Sequence, residues 1–590
     1  LTFDGVRQIV LTNRETPFLA KLNDEDNMEG TRLSYDYGKT DYPLLYSTIG
    51  AHFQHIATKF PDQEAFVSMH QGVRMTYGEL NKKVDLLARG LMKIGIKRGS
   101  KIGIWAINRY EWTLTQYATA KIGAVLVNVN PAYRTHELKY AMTQSETEAI
   151  VLMAEFKTSK YKDMLLEICP NLADFEPGQL ECEALPRLKH VIVMDEVVPG
   201  AWSFEKMFEL GEEVPQAELD KALASLDPDD DINIQYTSGT TGFPKGVTLS
   251  HFNILNNGYH AALNMNFTEK DRLVVPVPYY HCFGMVLSNL ACMSVGACTL
   301  IPGPIFDPGE VLKTVAAEKA TALHGVPTMF IAELNHPDFK KYDLSTLRTG
   351  IMAGAPCPVD TMTEVLDKMN LTDVAITYGQ TEASPGTNMT LIDDTIEKRT
   401  QTVGKVMPWQ EQKIIDPVSG ATVPRGVQGE ICFRGYHLMS RYYNNPEATA
   451  ETIDKAGWLH SGDLGIMDDE GYVKITGRIK EMVIRGGENL YPREIEEFLR
   501  TYDDVMDVYV VGVPDKRLGE ELMAWVLPAA GKEITEEQLR AFCKGKIAHF
   551  KVPRYWKFVK SSEEFPMTVT GKIQKFKMRD IAVEELNLPV

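Results

Sequence analysis

Tyr236-Thr237-Ser238-Gly239-Thr240-Thr241-Gly242-Phe243-Pro244-Lys245-Gly246 gathers three glycines, four serine or threonine hydroxyls and one lysine into eleven residues. Glycine at 239, 242 and 246 lets the backbone bring N–H groups up to an anion with no Cβ in the way. The hydroxyls of Thr237, Ser238, Thr240 and Thr241 add short donors to phosphate oxygens, and Lys245 adds a compact positive charge. Such a loop suits a polyphosphate. A Walker A loop requires Gly-Lys-Ser/Thr, whereas Lys245 follows Pro244 and precedes Gly246, so a kinase or GTPase reading weakens. The bland alternative is a Gly/Ser/Thr-rich surface turn joining the short strand 232–235 to Val247-Thr248-Leu249, but turn chemistry alone does not call for a lysine and four hydroxyls between three glycines.

Upstream of this stretch, Thr76-Tyr77-Gly78-Glu79 is a capping box, and Leu80, Val84, Leu87 and Leu91 follow on one helical face that Gly95 ends. Residues 101–106 and 124–129 are expected as buried strands flanking a helix near 111–121, a spacing that suits parallel α/β layers. The acidic stretch 209–231 reads as a surface connector, and residues 1 to about 45 as an extended arm. Strand-like runs at 273–277, 299–301, 322–326 and 374–377 continue the α/β character to about residue 410. Around 429–434 and 471–476 the alternation becomes that of short antiparallel strands, hence a small added sheet or barrel. After Arg478 the pattern restarts with a helix at 493–502, strands at 505–513 and 522–527, and a helix capped by Thr535 with Gln538. The expected fold is α/β, with a large N-terminal domain over residues 1–478 and a small α+β domain over 479–590.

A chain of 590 residues exceeds what one core organises, and a net charge of −18 argues against a general nucleic-acid binder. The eight cysteines show no C-x-x-C pair and no histidine at metal spacing, which reads as reduced thiols in an intracellular compartment. The run 283–301 is uncharged, yet Ser288, Asn289, Ser294, Gly296 and Thr299 make it a buried helix followed by a buried strand rather than a transmembrane segment.

Behind the phosphate loop come Ala353-Gly354-Ala355-Pro356, Tyr378-Gly379-Gln380-Thr381-Glu382, Gly457-Trp458-Leu459-His460-Ser461-Gly462-Asp463, Gly477-Arg478-Ile479-Lys480 and Pro566-Met567-Thr568-Val569-Thr570-Gly571-Lys572-Ile573. Singly, each reads as well as a turn, and a lone lysine in a Gly-containing turn is usually just solvated. In this order they resemble the motif series of the adenylate-forming enzymes, the acyl-CoA synthetases in particular. Asn128-Val129-Asn130-Pro131-Ala132-Tyr133, Arg485-Gly486-Gly487-Glu488-Asn489-Leu490-Tyr491-Pro492 and Phe542-Cys543-Lys544-Gly545-Lys546-Ile547 look most like the mitochondrial medium-chain type.

The resemblance implies an ATP-dependent acyl-CoA ligase. A carboxylate, of a fatty acid or another hydrophobic acid, attacks the α-phosphate of ATP with Mg2+; coenzyme A then displaces AMP from the acyl-adenylate. It implies catalytic roles for Lys572, Thr381 and Glu382, with Glu382 also holding the metal. ATP contacts fall to Thr237, Ser238, Gly239, Thr240, Thr241, Gly242 and Lys245, to the adenine-side residues Gly354, Ala355 and Pro356, and to Tyr378, Gly379 and Gln380. Asp463 is placed on the ribose hydroxyls and Arg478 near the ribose and α-phosphate. Gly486, Gly487 and Glu488 line the coenzyme A tunnel, His281, Val326 and Ile351 the acyl pocket, and Lys480 is the hinge of a mobile C-terminal domain. Mitochondrial localisation follows from the same resemblance.

The chain departs from the family pattern in carrying Arg441 where glycine is usual, Ser461 where threonine is commoner and Lys480 where many relatives have aspartate. The basic run Lys544, Lys546, Lys551, Arg554, Lys557 and Lys560 suits coenzyme A phosphates and a solvated face equally. An amino-acid adenylation module would want an acidic residue for the substrate ammonium, and Pro278-Tyr279-Tyr280-His281-Cys282-Phe283-Gly284 offers none. A non-catalytic nucleotide-binding protein is the other alternative.

Overall fold

The computed structural model describes residues 32–237, 244–355, 357–485, 488–544, 546–567 and 573–588. Two large sheets face each other across a layer of helices. One has eight strands, in the order Arg441–Tyr442, Lys245–Ser250, Asp231–Thr237, Val125–Asn128, Lys101–Trp105, Ala149–Leu152, His190–Val193 and Trp202–Ser203. It is parallel from Asp231–Thr237 onward, and its first two strands are antiparallel additions. The other has nine strands, whose parallel centre runs Asp373–Gly379, Thr349–Ala353, Ala322–Leu323, Arg272–Val274, Cys298–Ile301 and Glu64–Ser68. The helix Tyr110–Ile122 is buried from Glu111 to Ile122, as a helix enclosed on all sides must be. Its neighbour Tyr77–Lys93 is amphipathic instead. Thr76 caps it with Glu79 in a reciprocal box, and Leu80, Val84, Leu87 and Leu91 are its buried stripe.

A five-stranded antiparallel sheet is added to these two, in the order Tyr35–Tyr37, Gln410–Ile415, Gly429–Gly435, Leu459–Met467 and Val473–Arg478. The C-terminal unit has its own five-stranded sheet. Val505–Asp515 and Gly519–Pro528 form its central hairpin, and separate apolar clusters cover its two faces. Pro492–Leu499 and Glu536–Cys543 pack on one face, the latter capped by Thr535 with Gln538.

Two expectations need correction, and two others gain detail. The stretch 209–231 is not a plain connector: it holds the end of the helix Phe204–Glu212 and all of Gln216–Ala224, held down by Phe204, Met207 and Leu219. The N-terminal arm is extended, but Tyr35–Tyr37 is a true strand of the small sheet; residues 1–31 lie outside the described ones. Not every thiol is free, because Cys169 and Cys182 are joined in a disulfide with their Cα atoms 5.5 Å apart. The hairpin-like return through Leu172–Asp174 brings them together, while the other six cysteines are free and buried. The apolar run 283–301 is the expected buried helix and strand, but Met285–Leu290 is wound as a π-helix. No helix among the described residues is long and apolar enough to cross a membrane.

Candidate active site

The strands on either side of the Gly-rich stretch pair as a hairpin. Thr237 and Lys245 are paired at the ends of Asp231–Thr237 and Lys245–Ser250, and the loop residues 238–243 between them lie outside the described ones. The two-residue strand Arg441–Tyr442 pairs along the outer side of this hairpin. Arg441, standing where glycine was expected, ion-pairs with Asp231 at the start of the strand that leads into the loop. The departure therefore ties the added strand to the hairpin.

Next to Arg441, Tyr442 reaches two residues of the site at once. Its hydroxyl donates to Glu382 Oε1 at 2.7 Å, and the Lys245 ammonium lies 4.7 Å from its ring centroid. Burial, then the Glu382 carboxylate, pushes the Tyr442 phenol far up, so it remains a donor. The Met439 N–H donates to the Glu382 carbonyl at 2.8 Å, so two neighbouring residues hold one glutamate. Sequence reasoning missed Tyr442. Sixty residues separate it from Glu382, and its motif stood out only through Arg441.

Glu382 lies in the short 3-10 helix Thr381–Ala383, which begins where the strand Asp373–Gly379 ends. The chain can turn there because residue 379 is glycine: a Cβ would stand 1.7 Å from the Pro385 carbonyl oxygen. Tyr378, on the same strand end, sends its hydroxyl to Asp463 Oδ2 at 2.5 Å. Arg478 Nε donates to the other oxygen of Asp463 at 2.8 Å. Burial, then the Asp463 charge, holds the Tyr378 phenol protonated. The same charge raises the Arg478 guanidinium. A buried carboxylate is thus fixed in direction by one neutral and one cationic donor. Ser461, standing where threonine is commoner, donates to the Ile431 carbonyl at 2.6 Å and accepts from the Asp463 N–H at 3.0 Å.

On the acyl side the structure brings Val326 and Ile351 together, through the neighbouring Gly325 and Gly354. Ile351 is fully buried, and its carbonyl accepts from the Gly325 N–H at 3.0 Å. Val326 heads the helix Pro327–Leu334, and its Cγ1 lies 3.3 Å from where a Cβ on Gly354 would stand. Gly354 and Ala355 are exposed at the strand end, and Pro356 lies outside the described residues. His281, exposed, heads the helix Cys282–Gly284, whose Phe283 ring lies 5.5 Å from that of the buried His324. Burial lowers the His324 pKa to about 3, so this imidazole is neutral, with Nδ1 3.0 Å from Ser288 Oγ. Beneath the phosphate hairpin, the Cys282 thiol donates to Gln235 Oε1 at 3.1 Å, a link the sequence did not suggest.

Lys480 is exposed in the turn Ile479–Glu481, between the last strand of the small sheet and Val483–Arg485 of the C-terminal sheet. Met567 and Ile573 form an isolated β-bridge flanking residues 568–572; Lys572 thus lies outside the described residues, as do Gly486, Gly487 and the Glu488 side chain. Two residues beyond the bridge, Lys575 is paired with Glu481 at 3.0 Å and Glu496 at 2.8 Å. Within the basic run, Lys551, Arg554 and Lys557 are paired with Glu494, Asp515 and Glu585.

Comparison with known proteins covers almost the whole chain. Residues 53–443 match the AMP-binding enzyme family, and residues 494–572 match the AMP-binding enzyme C-terminal domain. The Bacillus subtilis protein YngI, which carries an acyl-CoA synthetase name, is 50% identical over 92% of this chain and 99% of its own. The human mitochondrial medium-chain acyl-CoA ligase ACSF2 is 41% identical over 94% of this chain and 91% of its own. Among solved structures, ATP-bound MatB from Rhodopseudomonas palustris superimposes with a TM-score of 0.77 at 28% identity, covering 91% of this chain and 99% of its own.

Proposed function

The chain belongs to the AMP-binding enzymes and is an acyl-CoA synthetase of the AMP-forming kind, and from that premise we propose that its substrate is a medium-chain fatty acid. ATP and coenzyme A are the co-substrates. The observation that carries the reading is the uncharged run 283–301, buried in the core, whose Phe283 meets His324 beside Val326 and Ile351. Those residues carry no charge that would partner an ammonium group, and their apolar character suits an alkyl chain. The chemistry, rather than the mitochondrial compartment, is common to the vertebrate and bacterial relatives, and the chemistry is what we assign.

The chain's own residues divide the work. Asp463, aimed by Tyr378 and Arg478, takes the ribose hydroxyls; Thr237 and Lys245 stand at the mouth of the loop that holds the phosphates. Glu382 fits a hard divalent cation, being a carboxylate held by Tyr442 next to that loop, and Mg2+ there would screen phosphate charge. Lys572 is assigned to the acid and α-phosphate oxygens. Lys480 is the hinge between residues 1–478 and 479–590, about which the C-terminal domain turns to exchange Lys572 for the tunnel loop Gly486–Glu488.

The test is a coenzyme A-dependent AMP-release assay over saturated straight-chain acids of increasing length. Medium-length acids are expected to give the highest kcat/KM. A preference for amino acids, or for the shortest or longest acids, would overturn the substrate, and pyrophosphate exchange without turnover would return the non-catalytic alternative. Tyr442→Phe should slow ATP–pyrophosphate exchange about tenfold, since a hydrogen bond to a charged group contributes roughly 1.5 kcal/mol or more. It should also raise the Mg2+ concentration needed for half-maximal rate. An unchanged Mg2+ dependence would show that Tyr442 does not orient Glu382.

A further inference from the structure

Glu430, Cys432 and His460 form a second cluster of ligand atoms, on the small antiparallel sheet and apart from the residues assigned to substrates. Glu430 and Cys432 stand two residues apart on Gly429–Gly435, so their side chains leave the same face. His460 is the direct cross-strand partner of Cys432 on Leu459–Met467, and the register shifts between Cys432 and Glu430. The extra residues of that bulge tilt the imidazole toward Glu430. Its Nδ1 lies 2.9 Å from Glu430 Oε2 and 3.7 Å from Cys432 Sγ, and the three ligand atoms are all within 4.8 Å of one another. Tetrahedral Zn2+ bonds to sulfur, nitrogen and oxygen set ligand atoms roughly 3.3–3.6 Å apart, so small side-chain rotations would bring the three atoms to metal distance, with solvent taking the fourth position.

Two neighbours support a metal site over a chance contact. Asp454 Oδ2 stands 3.8 Å from Nε2, the second ring nitrogen, beyond hydrogen-bond distance but on the side from which a carboxylate receives the N–H of a metal-bound imidazole. Lys413, opposite Cys432 on the next strand, has its ammonium engaged by the Trp458 ring, 4.4 Å from the centroid. Glu430 and Cys432 are buried while the His460 side chain is 31% exposed, which gives a closed floor with one side open to solvent.

We propose that Glu430, Cys432 and His460 bind Zn2+ or a cation of similar softness, and that its binding weakens the nucleotide site. Glu430 Oε1 accepts the Gly462 N–H at 3.1 Å, and Gly462, with φ of +71°, is the bulge residue next to Asp463 on the strand Leu459–Met467. On binding, the Cys432 S–H bond is replaced by a sulfur–zinc bond, the proton passes to solvent, and Glu430 and His460 each donate a lone pair. The Glu430 carboxylate, drawn to the metal, then releases Gly462 and with it the direction of Asp463. The effect on ATP rests on the ribose role proposed for Asp463; the metal site itself does not.

The test uses the full chain, stripped of metal with a chelator and titrated with Co2+ alone. One equivalent should bind with a thiolate-to-cobalt charge-transfer band that Zn2+ removes, and Zn2+ at saturating Mg2+ should raise the KM for ATP at least threefold. Cys432→Ser should lose both the band and the zinc effect while keeping its zinc-free activity. Should that variant not fold, His460→Gln, checked by circular dichroism, should lose the band. No stoichiometric cobalt binding, or a band that survives in Cys432→Ser, overturns the site. A zinc effect on KM that survives in Cys432→Ser, or a band with no such effect, overturns the coupling to ATP.

Discussion

Replacing Asp463 with asparagine is expected to lower kcat/KM for ATP about a hundredfold. The carboxylate accepts from Tyr378 and Arg478 and is buried, so its free lone pairs are aimed rather than mobile. Hydrogen bonds to a charged acceptor contribute about 1.5–3 kcal/mol each. Asparagine keeps the shape and one acceptor but loses the charge, so one such bond and part of a second are forfeited. Stability should hardly change. The Arg478 side chain is 40% exposed, and a partly solvated pair of that kind contributes at most about 1 kcal/mol. Steady-state kinetics with ATP varied, beside a thermal melt, separate the two effects. An unchanged KM for ATP would remove Asp463 from the ribose, and a collapsed melting temperature would make it structural.

Lys572→Ala should divide the two half-reactions. A lysine carried by a rotating domain serves only the orientation that brings it to the α-phosphate, where its ammonium meets charge that develops in the transition state. Loss of one such donor costs on the order of a hundredfold or more. Thioester formation from synthetic acyl-adenylate and coenzyme A should stay near the unmutated rate. Single-turnover rates for each half-reaction are the measurement. Equal loss in both would mean that Lys572 supports the fold or that the domain does not alternate.

Local signals were the legible ones. The capping boxes at Thr76 and Thr535 involve residues three apart, and the structure makes both reciprocally. Buried strands announced themselves as apolar runs. What stayed hidden was long-range or carried on few residues. The helices Phe204–Glu212 and Gln216–Ala224 have so narrow a buried face that their acidic surface dominated the reading. The Cys169–Cys182 pairing is set by a chain reversal that spacing does not reveal. In the candidate site the motifs named Tyr378, Asp463 and Glu382 separately. Only the fold shows that Tyr378 and Asp463, 85 residues apart, share a hydrogen bond, and that Tyr442 joins Glu382 to Lys245.

The strand Tyr35–Tyr37 bears on how the chain is made. It pairs with residues 411–413, and the Tyr35 hydroxyl donates to Glu411, 376 residues away. At a ribosomal rate of about 5–20 residues per second, its partner emerges roughly 20–75 s after it does. Throughout that interval the two tyrosines must wait as an unpaired strand while the layers between them assemble. The small sheet that carries Asp463 is therefore among the last parts of the N-terminal domain to close, and it can be completed only when nearly all of the domain has been synthesised.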